Sequence, residues 1–395
     1  MTRVGLFGLL GTGNLGNDGS LAAVLAHLGA EHPDARVEVF CSGPAEVTAR
    51  YGVPARRLNW YRAEYATASG LGSVVRKGLG KLVDVVRTAA WVRTQDVVIV
   101  PGMGVLETTL PLRPWGWPYS LLLLSLSGKL MRTKVVFLAV GAGKVADRAN
   151  RVLLVGAARL ASYRSYRDEL SRDALRDMGL DTTRDPVHTD LAFGLPTPES
   201  TVDNIVDHGV VGVGVMDYRG SNTDRDRADE LHHDYVTKLT EFVRWLVRDG
   251  REVRLFVGDH VDETVAERIA HDVGSSALSV ATTSTMDDLL RRMARVDVVV
   301  ASRYHNVLAA VKLGKPTVAL GYAAKSDALM AEMGLGEFCQ SIRDLDVERL
   351  VKQFTALEER DTELRRTLAD RNAVMAERIA RQFAELSAIV RGIRS

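Results

Sequence analysis

Short runs apolar on both faces recur along the chain and alternate with segments whose apolar positions repeat at helical spacing. In the first half the runs are Arg3–Leu9, Arg36–Phe40, Asp96–Val100, Lys134–Val140 and Ser162–Tyr166. In the second they are Val210–Met216, Arg251–Val257, Leu278–Ala281, Val296–Ala301 and Thr317–Leu320. Near-continuous apolarity is what a parallel strand covered on both faces requires. The intervening pattern predicts helices from about Asp18 to Leu28, across 59–93, and at Glu169–Met178, Asp234–Val247, Asp287–Arg295 and Asn306–Leu313. A charged helical stretch, Leu345–Arg391, closes the chain. The alternation predicts an α/β protein. Leu195-Pro196-Thr197-Pro198 reads as a linker, so a break at 195–208 divides an N-terminal domain, 1–200, from a C-terminal domain, 201–395.

Composition narrows the picture. A chain of 395 residues is long for one core, and 46% hydrophobic content suffices for two. With 51 basic and 50 acidic residues the net charge is +1, which gives no electrostatic case for nucleic acid. Cys41 and Cys339 lack metal-ligand spacing, and a reducing cytoplasm is the expected setting. MTRVGLFGLLGTG reads as a first strand rather than a signal peptide. The apolar window Tyr119–Leu126 is too short to cross a bilayer; with Trp115, Trp117 and Lys129 beside it, it can either rest on a membrane surface or form a buried helix.

Candidate chemistry sits where strands end. Gly11, Gly13 and Gly16 satisfy G-x-G-x-x-G, but Glu38 lies inside the next strand rather than at its end, where a ribose-binding acid belongs. The loop remains an anion or polar-ligand site at a helix N-terminus. Gly141-Ala142-Gly143-Lys144 lacks Walker spacing. Arg167 follows a strand and suits a carboxylate or phosphate; a cap arrangement with Asp168 is the alternative. The charged loop 217–230 is a candidate acceptor lid, as PLRPWGWPY is a candidate stacking loop. His232-His233 is a poor metal pair, because adjacent histidines face different sides of a helix.

The densest signal is VDVVVASRYHNVLAAVKLGKPTVALGYAAKSDAL, Val296–Leu329. A strand, a short helix stopped by Gly314-Lys315-Pro316 and a second strand make a βαβ unit, so both following loops leave from one carboxyl sheet edge. Arg303 or His305 and Lys325 then converge, a proton donor with fixed positive charge suited to a small anion.

Through S-R-Y-H, G-K-P and Y-A-A-K the chain resembles the polysaccharide pyruvyl transferase family. Gly13, Asn14, Gly16, Asn17 and Asp18 resemble that family's G-x-x-N-x-G-D loop, with Asn17 inserted. Pro101-Gly102-Met103-Gly104 departs from its usual G-G-G. Arg167 matches an arginine in an R-D-x-x-S context, and Asp190 matches a family Asp. The resemblance implies two Rossmann-like domains facing across a cleft, as in GT-B enzymes, with C-terminal helices crossing back. It implies phosphoenolpyruvate as donor and a sugar acceptor, often lipid-linked or part of a cell-envelope polysaccharide. By the same likeness His305 is the catalyst. Arg167, Lys325 and Arg303 hold the donor, and Gly13, Asn14, Gly16 and Asp18 are acceptor or loop positions. Neither metal nor cofactor is required, and the expected location is cytoplasmic, at the inner face of the membrane. The rivals are a GT-B glycosyltransferase using a nucleotide sugar, an NAD oxidoreductase and a solute-binding protein.

Overall fold

Two parallel sheets of six strands organise the chain, and both have the same strand order. The computed structural model describes residues 1–61, 71–107, 113–198, 209–220 and 224–392, with the side chains of all but 71–76. The chain divides into two units: Met1–Thr12, Ser20–Leu191 and Arg378–Ser395 form the first; Gly13–Gly19 and Ala192–Glu377 form the second.

The first unit holds β1 (Arg3–Gly8), α1 (Leu15–Glu31, whose first turn groups with the second unit), β2 (Arg36–Cys41), α2 (Pro44–Tyr51) and β3 (Ala55–Arg57). Then come α3 (Leu71–Val92), β4 (Val97–Pro101), α4 (Trp117–Met131), β5 (Lys134–Val140), α5 (Arg148–Leu160), β6 (Tyr163–Tyr166) and α6 (Glu169–Asp177). Its sheet runs β3-β2-β1-β4-β5-β6, every pairing parallel. Every residue of β4 is buried, as its unbroken apolar run requires.

The second unit holds β7 (Val210–Gly214), α7 (Ala228–Arg248), β8 (Glu252–Phe256), α8 (Glu263–Val273), β9 (Leu278–Ala281), α9 (Met286–Met293) and β10 (Val298–Ala301). It continues with α10 (Tyr304–Lys312), β11 (Thr317–Gly321), α11 (Ala324–Glu332), β12 (Cys339–Ser341), α12 (Val347–Glu359) and α13 (Asp361–Arg391). The order is β12-β11-β10-β7-β8-β9, again all parallel. Numbered from its own first strand, this is the first sheet's order read from the other edge. Each sheet therefore has one switch point, β1/β4 and β7/β10, where neighbouring strands lead their chains in opposite directions and ligand crevices form.

Several boundaries differ from the sequence reading. α10 begins at Tyr304 rather than Asn306, because Arg303 adopts the extended N-cap conformation (φ −74°, ψ 132°) and releases Tyr304 and His305 into the first turn. The C-terminal stretch is two helices, broken at Arg360. α13 changes unit at Arg378. Part of the 59–93 segment, part of the PLRPWGWPY loop, most of the 195–208 break and part of the 217–230 loop lie outside the described residues.

Candidate active site

The β7/β10 switch point carries the S-R-Y-H run. Ser302 is held from two sides: its N–H donates to Gly214 O at 2.9 Å, and its hydroxyl shares a 2.8 Å hydrogen bond with the Tyr235 hydroxyl. Both residues are buried, and burial pushes the Tyr235 phenol above its usual range. With Ser302 fixed, the first turn of α10 presents Tyr304, buried, and His305, half-buried, their rings edge to face at 5.1 Å. From the next strand, Lys325 in the first turn of α11 places its ammonium 5.8 Å from the Tyr304 ring centre and 5.3 Å from that of Tyr322. Such cation–π contacts orient the ammonium while keeping it charged. Tyr304 thus links Lys325 to His305 on one sheet edge, at the N-termini of two helices whose dipoles favour anions.

The glycine loop closes on the same residues. Asn14 caps α1, its Oδ1 accepting from Asn17 N at 3.1 Å, while its Nδ2 donates to Asp259 Oδ2 at 3.1 Å. Leu15 N–H donates to Gly258 O at 3.3 Å. Gly16 is the tightest point, since a Cβ there would sit 1.9 Å from His305 Cε1 and 2.0 Å from Nδ1. Gly13 (φ +86°) faces His260, with 3.3 Å from an added Cβ to Nδ1. These glycines let backbone lie against two imidazoles, which a dinucleotide reading did not anticipate. Asp18 is buried in the first turn of α1. Glu38, the acid tested for a ribose role, instead accepts from Trp91 Nε1 at 3.0 Å.

Beneath the rim lies a carboxylate that sequence reasoning passed over. Asp262, fully buried, accepts from the backbone N–H of Gly258 (3.2 Å), Asp259 (3.0 Å) and Asp217 (2.8 Å). It also takes a bidentate pair from Arg303, Nε at 2.8 Å and Nη2 at 2.6 Å. Burial works to lower the Arg303 pKa, but the bonds and attraction of Asp262, with Tyr322 and Asp259, outweigh it and hold the pKa above its ordinary value. The Arg303 fork therefore ties α10 to the loop after β8. Asn306, also fully buried, lays its amide against Gly214 and Gly258, and neither amide atom has a hydrogen-bond partner among the described residues. Asp262 stands 41 positions from Arg303, and only the topology joins them.

Arg167 belongs to the first unit. It follows β6 with a side chain 3% exposed, lies flat on Gly141 and makes two long contacts of 3.4 Å, to Asp190 and Asp168. Asp168 caps α6 through Ser171 N at 2.6 Å. The family-type Asp190 thus acquires a partner that the sequence did not assign. At that unit's switch point Met103 replaces a family glycine in a left-handed conformation (φ 62°), its methyl group packed on Gly8. His232 lies 3.0 Å from Asp217, and among the described residues no cluster of three or more His, Cys, Asp or Glu could hold a metal.

The family model for polysaccharide pyruvyl transferase matches residues 14–323, most of the chain. No curated protein matches the sequence. Among solved structures, UDP-GlcNAc 2-epimerase from Methanocaldococcus jannaschii is 9% identical, with a TM-score of 0.59 over 90% of this chain and 92% of that one. The S. aureus MnaA–UDP co-structure is 11% identical, TM-score 0.60, over 93% and 90%. MurG of Acinetobacter baumannii is 12% identical, TM-score 0.53, over 95% of both chains. At such identities the likeness establishes the fold, which is GT-B.

Proposed function

The chain belongs to the polysaccharide pyruvyl transferase family, and from that premise we propose that it forms a pyruvate ketal on a sugar of a cell-envelope polysaccharide or its lipid-linked precursor, with phosphoenolpyruvate as donor. One observation carries the reading: His305 and Lys325 stand on one sheet edge, joined through the Tyr304 ring. Ketal formation needs a proton at C3 of the enol ether, so that C2 becomes electrophilic. One acceptor hydroxyl adds to C2, and a second displaces phosphate. Of the two hydroxyl protons, the balance leaves one in the new methyl group and one with phosphate. His305 supplies the proton to C3, as an imidazole titrating near neutrality can. Lys325 and the N-termini of α10 and α11 hold the anionic groups.

Arg167 supplies a second charge. The family likeness assigns it to a carboxylate or phosphate of the donor, which its planar guanidinium fork suits. Arg303, committed to Asp262, acts by holding the His305 turn. No cofactor is called for, and the chemistry is expected in the cytoplasm.

The test is ligand stabilisation followed by isotope transfer. Phosphoenolpyruvate should raise the melting temperature, and in heavy water the product methyl group should carry deuterium. His305→Ala should keep donor binding and lose turnover by about 10²–10⁴-fold. Stabilisation by a UDP-sugar without any by phosphoenolpyruvate would replace this reading with a GT-B glycosyltransferase.

A further inference from the structure

The outer surface of the first unit's helices α3 and α4 inverts the usual pattern. A helix covering a sheet turns its apolar side inward and its polar side to water. On α3, Leu79, Leu82 and Val86 share one face and are 55%, 66% and 68% exposed. On α4, Leu121 and Leu124 are fully buried against the sheet side, yet Leu126 and Leu130 on the opposite side are 42% and 69% exposed. Trp115, just before α4, is 69% exposed. The two helices pack side by side, and Tyr119 joins them, its hydroxyl donating to Lys81 O at 3.2 Å with the Lys81 ammonium 5.6 Å from its ring. The exposed leucines and valines therefore lie on two neighbouring helices.

Charge on this surface has one sign. Between Lys77 and Arg93 and between Arg113 and Lys134 the sequence places eight Lys and Arg and one acid, Asp84, in a chain otherwise balanced at 51 to 50. That acid is buried; its carboxylate accepts from Trp60 N at 2.8 Å and pairs with Arg87. Arg93, Arg113, Lys129 and Arg132 are exposed. A second copy of the chain would oppose cation to cation here. An anionic bilayer matches both features, since aliphatic side chains enter the acyl boundary while the cations meet headgroups.

We infer that the α3–α4 face is a docking surface for an anionic lipid bilayer. No helix among the described residues is long and apolar enough to cross a membrane, so this attachment is peripheral. It is independent of the chemistry at His305.

The full chain is sedimented with vesicles of phosphatidylcholine alone and with about a third phosphatidylglycerol. It should bind the anionic vesicles, bind the neutral ones far less, and be released by salt. Leu82→Glu with Val86→Glu should abolish binding; Lys129→Glu and Arg132→Glu should each weaken it at least about fivefold. These side chains are exposed, so melting temperatures should hold. Should the glutamate pair disturb the fold, Leu82→Ser with Val86→Ser gives the same readout. Failure to bind anionic vesicles, or undiminished binding by the folded variants, overturns the inference. So does gel filtration in which wild type is a dimer and the serine pair a monomer, without vesicle binding.

Discussion

Gly16 and His305 lie in such close contact that a single methyl group on Gly16 would fall 1.9 Å from the imidazole Cε1. The glycine is therefore a mould for the ring. Gly16→Ala, harmless to α1 by helix propensity, should push His305 out of position and lower kcat by about 10²-fold, the cost of an ångström of misplacement. KM for phosphoenolpyruvate and the melting temperature should change little. Steady-state kinetics beside a thermal melt decides it, and full turnover in this variant would show that the ring's seat is immaterial.

Lys325 should act on binding. Removing its charge with Lys325→Met should weaken phosphoenolpyruvate affinity by about 1.5–3 kcal/mol, measured by titration calorimetry. Lys325→Arg should recover part of that. Arg167→Lys keeps the charge but loses the planar fork lying on Gly141, and should raise the donor Kd about tenfold. Unchanged donor affinity in Arg167→Lys would leave Arg167 as a structural partner of Asp168 and Asp190.

The Asp262–Arg303 pair should govern stability. Asp262→Ala leaves the half-buried Arg303 guanidinium uncompensated and deprives three backbone N–H groups of their acceptor, a loss of about 3–5 kcal/mol in urea unfolding. Arg303→Met, which removes the charge instead, should lose less. Equal losses from the two variants would show that the ion pair, rather than the backbone bonds to Asp262, dominates.

Lys312 predicts a pH dependence. Burial depresses its pKa from 10.5 to about 8, and its ammonium donates to Phe193 O at 2.8 Å. Since the folded pKa lies below the unfolded one, the unfolded chain holds the proton more tightly between about 8 and 10.5. Stability contributed by this group is thus lowest below about pH 8 and rises through that window, by at most about 3 kcal/mol. Urea unfolding at stepped pH should show the rise, and Lys312→Met should flatten it.

Much of this was legible because it is local. Continuous β-branched runs identify buried parallel strands wherever they occur, and the strand–helix–strand order at Val296–Leu320 dictates that His305 and Lys325 share an edge. What escaped is long-range or short. β3 and β12 are three residues each, too brief to show a period. The apolar pattern starts α10 two residues late because Arg303, its N-cap, is not a capping residue type and makes no side-chain cap bond. Asp262 is one of 50 acids in the chain, and nothing near it in sequence announces three backbone donors and a guanidinium. Gly16 fits a dinucleotide pattern equally well, and only the fold shows that its missing Cβ accommodates a histidine.

The grouping of Gly13–Gly19 with the second unit bears on how the protein can be dissected. A fragment cut at the polar break near 200 and carrying all of the described helices and strands from β7 to α13 would still lack Asn14 against Asp259 and Gly16 against His305. Its imidazole would be free to leave its seat, and its β8 loop would lose one of its ties. Truncation of the kind that usually yields independent domains would thus separate the proposed proton donor from its own support. Work on donor binding requires the intact chain, or two fragments co-expressed so that residues 13–19 can return to their place.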